Sequence, residues 1–136
     1  HAGEEGPTEY IWDSVNLLKV KRIDHGVQCL KDEKLVEELK KKQIPLTVCP
    51  LSNVKLCVFD KLENHNLKKM LNLGLRVMVN SDDPAYFGGY LNKNLIEIQS
   101  ALDLTNEEVK TLIINSFKSS FLDEAKKNEW IAKINK

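Results

Sequence analysis

Cysteine is sparse in this sequence, long apolar runs are missing, and neither sign of charge is in excess. The three cysteines, Cys29, Cys49 and Cys57, form no Cys-x-x-Cys pair, which argues against a structural zinc ribbon and a disulfide framework. No apolar run approaches the roughly 18 residues that a membrane-spanning helix needs. The 20 basic residues balance the 20 acidic ones, so no net charge attracts nucleic acid or an anionic membrane. We therefore expect a cytoplasmic protein with no nucleic-acid and no membrane partner.

Several common enzyme motifs are also absent. The sequence has no Gly-x-Ser-x-Gly elbow, no phosphate-binding loop and no Gly-x-Gly-x-x-Gly after a strand. The His-x-Glu and Pro-Cys-x-x-Cys signature of cytidine-type zinc deaminases is missing as well. Cys49 lies beside Pro50 at the end of a predicted strand, but no base is near it in the sequence. A small buried residue is therefore a better interpretation of Cys49 than a nucleophile.

The sequence does contain a regular alternation of helical and extended apolar patterns. The predicted strands cover residues 20–24, 46–49 and 75–80, and the predicted helices residues 8–18, 32–42 and 59–73. Thr8 is expected to cap the first helix and Leu18 to face the core, whereas Gly74 is expected to end the third helix and His65 to lie at the surface. Thr105 and Glu108 are expected to form a capping box. Strands that alternate with helices predict an α/β fold with a parallel sheet. Further helices around Leu95, from Thr105 and from Asp123 are expected to pack against it as an appendage. The hydrophobic content of 42% suits one domain, or part of one.

Imidazoles and carboxylates follow the ends of the predicted elements. His1 and Glu4 lie in the opening loop, His25 follows the first strand, and Asp82 and Asp83 follow the third. Because the carboxyl ends of parallel strands meet at one edge, these groups are expected to converge there. They are suitable Zn²⁺ ligands, and bound zinc lowers the pKa of water to about 7. From the residues alone, a turn or cap for the two aspartates and incidental roles for the histidines remain open.

Four segments, in this order and spacing, resemble the second half of the adenosine and adenine deaminases. They are His1-Ala-Gly-Glu4, Arg22-Ile-Asp-His-Gly26, Cys49-Pro-Leu-Ser-Asn53 and Asn80-Ser-Asp-Asp-Pro84. The resemblance covers essentially all 136 residues. It implies the C-terminal part of a zinc-dependent (β/α)8 TIM barrel with extra C-terminal helices. It also implies an enzyme that hydrolyses the 6-amino group of a purine to a carbonyl and releases ammonia.

The resemblance implies a role for each matching residue. His1 and Asp82 would be zinc ligands. Glu4 would protonate the purine ring at N1 and make C6 electrophilic, while His25 would orient and help deprotonate the attacking water. Asp83 would hydrogen-bond the purine near N7. These roles are compatible with the chemistry of general acids, bases and metal ions.

Two departures from the family pattern limit what this chain is expected to do alone. The family takes two further zinc ligands from a His-x-His pair on its first strand, and this sequence contains no His-x-His. Three strands also cannot close a barrel. We therefore expect residues 1–136 to be the C-terminal portion of a single barrel domain, inactive without its N-terminal half and sharing one zinc ion with it. The role of Ser52 and Asn53 stays open between loop shaping and substrate contact.

The substrate is expected to be the free base adenine, converted to hypoxanthine in purine salvage. Asp24 stands where adenosine-specific members usually carry glycine, and the segment from Ser81 to Tyr90 is similar to the adenine-specific branch. Deamination of adenosine to inosine on the same scaffold is the first alternative. A zinc-free binding module is the second, but a decayed site would be expected to lack at least one of the five matching site residues.

Overall fold

Three short parallel strands form the sheet at the centre of the fold. A computed structural model describes residues 1–135 of the chain. The strands are β1 (Ile23–Asp24), β2 (Leu46–Val48) and β3 (Val77–Val79), arranged in the order β1-β2-β3. All pairs are parallel, with Ile23 opposite Leu46 and Leu46 opposite Val77. The α/β class with a parallel sheet is thereby confirmed, although the strands are shorter than predicted.

The opening residues extend this sheet on the free side of β1. Ala2 forms a parallel bridge with His25, its N–H donates to Asp24 O (3.2 Å), and its carbonyl accepts from Gly26 N (3.0 Å). On the opposite side, the residues that follow β1 pair with β2, since His25 N donates to Thr47 O (2.9 Å). Four chain segments therefore lie side by side in sequence order.

Eight α-helices are described around the sheet. They are α1 (Thr8–Asn16), α2 (Glu33–Lys42), α3 (Pro50–Lys55), α4 (Leu67–Asn72), α5 (Pro84–Phe87), α6 (Leu91–Leu102), α7 (Asn106–Lys118) and α8 (Glu124–Ile134). Two 3-10 turns, at Val27–Lys31 and Leu62–Asn64, complete the regular structure. None of the helices in residues 1–135 combines the length and apolar character needed to cross a membrane.

The core lies between the sheet and the helices. Val77, Met78 and Val79 are all buried, as expected for a strand covered on both faces. The fully buried side chains that pack with this strand include Ile11, Leu35, Leu39, Leu46, Leu67, Met70, Ile98 and Leu112. These residues keep the strands rigid and so fix the positions of the loops that follow them.

Several helix ends are closed by a side-chain cap or by glycine. Asp32 accepts hydrogen bonds from the N–H groups of Lys34 (2.9 Å) and Leu35 (3.2 Å) at the start of α2. Thr105 and Glu108 form the predicted capping box of α7. Gly74, with φ of 81°, follows α4 in the left-handed conformation that glycine tolerates best.

Four expectations about the fold are wrong. The helix predicted over residues 59–73 is broken into the turn at Leu62–Asn64 and α4, and α3 was not predicted. Leu18, assigned to the core, has 72% of its surface exposed. Thr8 does not cap α1; Pro7 occupies that position, and no side chain there makes a capping bond. His65, expected at the surface, is only 4% exposed.

Candidate active site

Strand ends bring His25 and Asp82 to one cavity. His25 directly follows β1 and is 1% exposed, whereas Asp82 lies three residues past β3. Both residues have positive φ, 68° for His25 and 56° for Asp82, a conformation that is uncommon outside glycine and that often occurs at functional sites. The cavity, of about 450 Å³, is lined by both residues and by His1. The predicted convergence of His1, His25 and Asp82 is therefore observed.

Glu4 joins this group through His25. Its Oε1 lies 3.2 Å from His25 Nδ1 and accepts a hydrogen bond of 2.7 Å from Asn53 Nδ2. Burial raises the pKa of the Glu4 carboxyl, and the negative charge of Asp82 raises it further, while the Asn53 hydrogen bond opposes the shift. A carboxyl whose pKa is moved towards neutrality is suited to proton transfer.

His25 faces carboxylates on both of its ring nitrogens. Its Nε2 lies 4.0 Å from Asp82 Oδ2, too far for a direct hydrogen bond, and the ring of His1 lies 5.0 Å from its own ring. Burial lowers the pKa of His25, although Asp82 and Asp24 act in the opposite direction. The neutral imidazole that burial favours is the form that can accept a proton.

Helix α3 holds both acidic groups of the site. Ser52 Oγ donates to Asp82 Oδ2 (2.8 Å), and Asn53 donates to Glu4 as described. Both side chains are fully buried. Their position is set by Pro50, which begins the helix directly after β2 and so directs the next residues to the strand ends. A proline followed by short polar residues after a strand is the signal by which this helix could have been predicted.

Asp83 points to a different environment from its neighbour. Its Oδ1 accepts from the N–H groups of Ala85 and Tyr86, each at 3.1 Å, and caps the short helix α5. It is exposed, and it is not among the residues that line the cavity. The two adjacent carboxylates are thus separated, one at the cavity and one in a helix cap, and a substrate contact by Asp83 stays a prediction.

The comparisons with known proteins agree with the motif resemblance. The family model described as adenosine deaminase matches residues 1–136. The chain belongs to the adenosine deaminase family. Two relatives named adenine deaminase come from Acinetobacter baylyi, 58% identical over 99% of this chain, and from Crocosphaera subtropica, 62% identical over 95% of it. The chain spans 41% and 40% of these two relatives, respectively.

Two solved structures have the same fold over this segment. The crystal structure of adenine deaminase from Arthrobacter aurescens matches with a TM-score of 0.97 and 49% identity over 99% of this chain and 41% of its own. An amidohydrolase from Burkholderia ambifaria, solved with bound Zn, matches with a TM-score of 0.89 and 25% identity. It is covered over 38% of its length, and this chain over 99%.

The donor atoms of this adenosine deaminase family chain suit a zinc ion. His25, Cys49 and Asp82 offer ligand atoms within 4.8 Å of one another. Burial, followed by the charges of Asp82, Glu4 and Asp24, raises the pKa of the Cys49 thiol to about 12, and its Sγ donates to Thr47 O (3.5 Å). A protonated thiol is not a nucleophile. The His25 imidazole and the Asp82 carboxylate are donor types that catalytic zinc uses, and His1, which lines the same cavity, offers a further imidazole.

Proposed function

We propose that this chain is part of a zinc-dependent adenine deaminase, which hydrolyses adenine to hypoxanthine and ammonia in purine salvage. The observation that carries the proposal is the placement of the Glu4 carboxyl 3.2 Å from His25, which in turn faces Asp82 across 4.0 Å. Two carboxylates on either side of an imidazole supply the proton donor, proton acceptor and metal ligand that hydrolytic deamination needs. Relatives that share 54–62% of its residues and are named adenine deaminase support the choice of reaction.

His1 and Asp82 would hold the zinc ion from this chain. Both line the cavity, and the Asp82 carboxylate is oriented by the Ser52 hydroxyl, a type of support that zinc ligands commonly have. Two further ligands would come from the N-terminal half of the protein, giving one zinc per full-length chain. When bound, Zn²⁺ lowers the pKa of water and so makes hydroxide available near neutral pH.

Glu4 and His25 would move the protons. The raised pKa of Glu4 keeps its carboxyl able to donate a proton to purine N1, which makes C6 more electrophilic. The lowered pKa of His25 keeps its imidazole neutral and able to accept the proton of the attacking water. Asp83 would hydrogen-bond the purine near N7. Addition of one water and loss of one ammonia convert adenine to hypoxanthine.

The purine proposed is the base rather than the nucleoside. Asp24 lines the cavity, and its Oδ1 accepts a hydrogen bond of 2.7 Å from Thr47 Oγ1, which fixes the carboxylate on the wall. The family resemblance associates an acidic residue at this position with adenine specificity. Adenosine deamination is the alternative that the substrate test decides.

The architecture proposed for the whole protein is a closed (β/α)8 barrel, of which residues 1–136 form the C-terminal portion within a single domain. The in-sequence parallel order of Ala2, β1, β2 and β3 supports it, because consecutive barrel strands are neighbours. The N-terminal half would be the partner of this segment. All three cysteines are free, which supports a reducing, cytoplasmic setting.

The test is substrate turnover by the full-length protein with matched metal analysis. Purified protein is assayed for ammonia release from adenine and, in parallel, from adenosine. We expect about one zinc per chain and a strong preference for adenine. A preference for adenosine would overturn the substrate, and a protein with neither zinc nor activity after zinc addition would indicate a binding module instead.

A further inference from the structure

His65 is a buried histidine whose two ring nitrogens both have partners. Nδ1 accepts a hydrogen bond from Leu67 N (3.1 Å), and Nε2 lies 3.2 Å from Asn53 Oδ1. A backbone N–H can only donate, so Nδ1 must be unprotonated, and the single proton of the neutral ring must be on Nε2. His65 is therefore a donor to Asn53.

The direction of this hydrogen bond determines how the Asn53 amide is turned. With Oδ1 accepting from His65, Nδ2 is presented to Glu4 Oε1 at 2.7 Å and lies 3.4 Å from His25 Nδ1. A flipped amide would place its oxygen against the Glu4 carboxyl oxygen and its NH₂ group against the N–H of His65. The contact between the NH₂ group and the His65 N–H would be repulsive in either state of Glu4, and the contact with Glu4 would be repulsive when its carboxyl is ionised. The donor on His65 therefore selects the orientation that presents Nδ2 to Glu4.

The surroundings of His65 keep it in this one state. The Phe59 ring lies 4.3 Å from the imidazole ring, and the residue is 4% exposed. Burial lowers its pKa to about 4, so the ring stays neutral over the pH range in which a deaminase works. The two hydrogen bonds that link His65 to Asn53 and Asn53 to Glu4 are thus made by groups whose donor and acceptor roles are fixed.

We propose that His65 is a positioning residue for Glu4, acting through the Asn53 amide. The inference rests on the proposed deaminase function, in which Glu4 is the proton donor. Since Glu4 acts on the reacting purine ring, loss of its orientation lowers kcat. Zinc content should not change, because His65 contacts neither His1 nor Asp82.

Two substitutions separate this role from a purely structural one. Gln at position 65 can place an amide N–H near the position of Nε2, so His65→Gln keeps the donor to Asn53 and loses the acceptor for Leu67 N. Asn places its amide nearer the position of Nδ1, so His65→Asn keeps the acceptor and loses the donor. In the full-length protein we expect H65Q to keep kcat within about threefold and H65N to lose about 10- to 100-fold, the range for supporting hydrogen bonds at catalytic sites.

The controls are zinc content, thermal midpoint and a double variant. Asn53→Ala should lower kcat. Adding H65N to this variant should lower kcat little further, because both substitutions interrupt the same hydrogen-bond link from His65 to Glu4. If H65Q is as slow as H65N, or if H65N turns over like the wild type, the positioning role is wrong although the deaminase function stands. A wild-type protein without purine deaminase activity overturns both.

The tautomer can be measured without any variant. Long-range ¹⁵N–¹H spectra of the wild-type protein distinguish the two neutral forms of histidine, and proximity to the Phe59 ring identifies the His65 signals. We expect the proton on Nε2 at neutral pH. A proton on Nδ1 would reverse the donor direction and overturn the proposal even if the variants do not fold.

Discussion

Asp82 and Asp83 are chemically identical neighbours with different surroundings. Asp82 lines the cavity and accepts from Ser52 Oγ, whereas Asp83 accepts two backbone N–H bonds at the start of α5. The turn through Asp82, with φ of 56°, sends the two side chains in different directions. Their functions should therefore be separable by single substitutions.

Substitution of the two aspartates should affect different steps. Asp82→Ala in the full-length protein should lose zinc, because a ligand is removed, whereas Asp83→Asn should retain zinc and lose substrate affinity. Asn is as good a helix cap as Asp, so D83N tests the charge while α5 stays capped. Zinc analysis and KM for adenine give the two measurements. Equal zinc loss in both variants would contradict this division.

His65 should make stability depend on acidity. Burial lowers its pKa from the ordinary value of 6.5 to about 4 in the folded chain, so the unfolded chain binds the proton more readily. This contribution to stability is fully present above pH 6.5 and declines as the pH falls towards 4. Between pH 7 and pH 5 the free energy of unfolding should fall by about 2 kcal/mol from this group.

Denaturant unfolding of the wild type and H65Q at the two pH values measures that contribution. H65Q lacks the titrating ring, so its stability should decline less between pH 7 and pH 5. Equal declines in the two proteins would show that His65 is not a buried neutral imidazole.

At the scale of elements, α3 is the part of the fold with the largest effect on the site. From its first turn, Ser52 donates a hydrogen bond to the Asp82 carboxylate and Asn53 donates one to the Glu4 carboxyl group. Helix propensity does not predict so short an element. Pro50 is the first helical residue, and this allows α3 to follow β2 without an intervening loop. The geometry of both carboxylates therefore depends on six residues.

Removal of the Ser52 hydroxyl should weaken metal binding. Ser52→Ala should lower zinc affinity by about 10- to 100-fold, because the Asp82 carboxylate loses the donor that orients it. Ser81→Ala is the matched control, since among residues 1–135 the Ser81 hydroxyl hydrogen-bonds only the Asp82 backbone carbonyl (3.5 Å) and not its carboxylate. Competition with a zinc chelator measures both affinities. Equal affinities of the two variants would show that Ser52 does not support the ligand.

Hydrophobic periodicity and helix-capping residues correctly predicted the elements whose patterns lie within one short stretch of sequence. Strand β3, helix α2 and the capping box of α7 all lie where local patterns place them. Residues 59–73 were assigned one helix because Leu67, Met70 and Leu71 recur at helical spacing. The polar residues before them instead form the 3-10 turn at Leu62–Asn64. His65 is buried and hydrogen-bonded to Asn53 and to Leu67 N, and the local sequence pattern does not predict these contacts.

The candidate site was predictable in kind but not in detail. Motif order identified His1, Glu4, His25, Asp82 and Asp83 as a set. The structure brings the first four together and places Asp83 in the cap of α5. The supporting roles of Ser52, Asn53 and His65 depend on distances between separate elements. Such distances follow from packing and could not be read from sequence spacing.

At the scale of the whole molecule, large apolar side chains remain at the surface of this segment. Leu17 and Phe121 are 73% and 76% exposed, and Phe121 lies under the Arg22 guanidinium at 4.6 Å. Exposed apolar surface of this kind is often an interface. It is compatible with a further part of the barrel packing against the segment.

The segment 1–136 produced alone should not deaminate adenine at the rate of the full-length protein. It would offer only two zinc ligands, and affinity for Zn²⁺ depends on completing a set of three or four. Ammonia release and zinc binding, compared for the segment and the whole protein at equal concentration, give the measurement. Mixing the segment with a separately produced N-terminal half should restore part of the rate. Full activity of the segment alone would contradict the proposed division of ligands.

The order Ala2, β1, β2, β3 in space is also the order in which a ribosome releases these strands. Each strand can dock on the edge that the previous one has just left open, so no earlier pairing has to be undone during synthesis. Asp82, which follows the last strand, then reaches Ser52 and His25 only after both are in place. Within this segment, a nascent chain would therefore bring Asp82 to Ser52 and His25 only after β3 has paired with β2, so the proposed zinc site would stay incomplete until that pairing has formed.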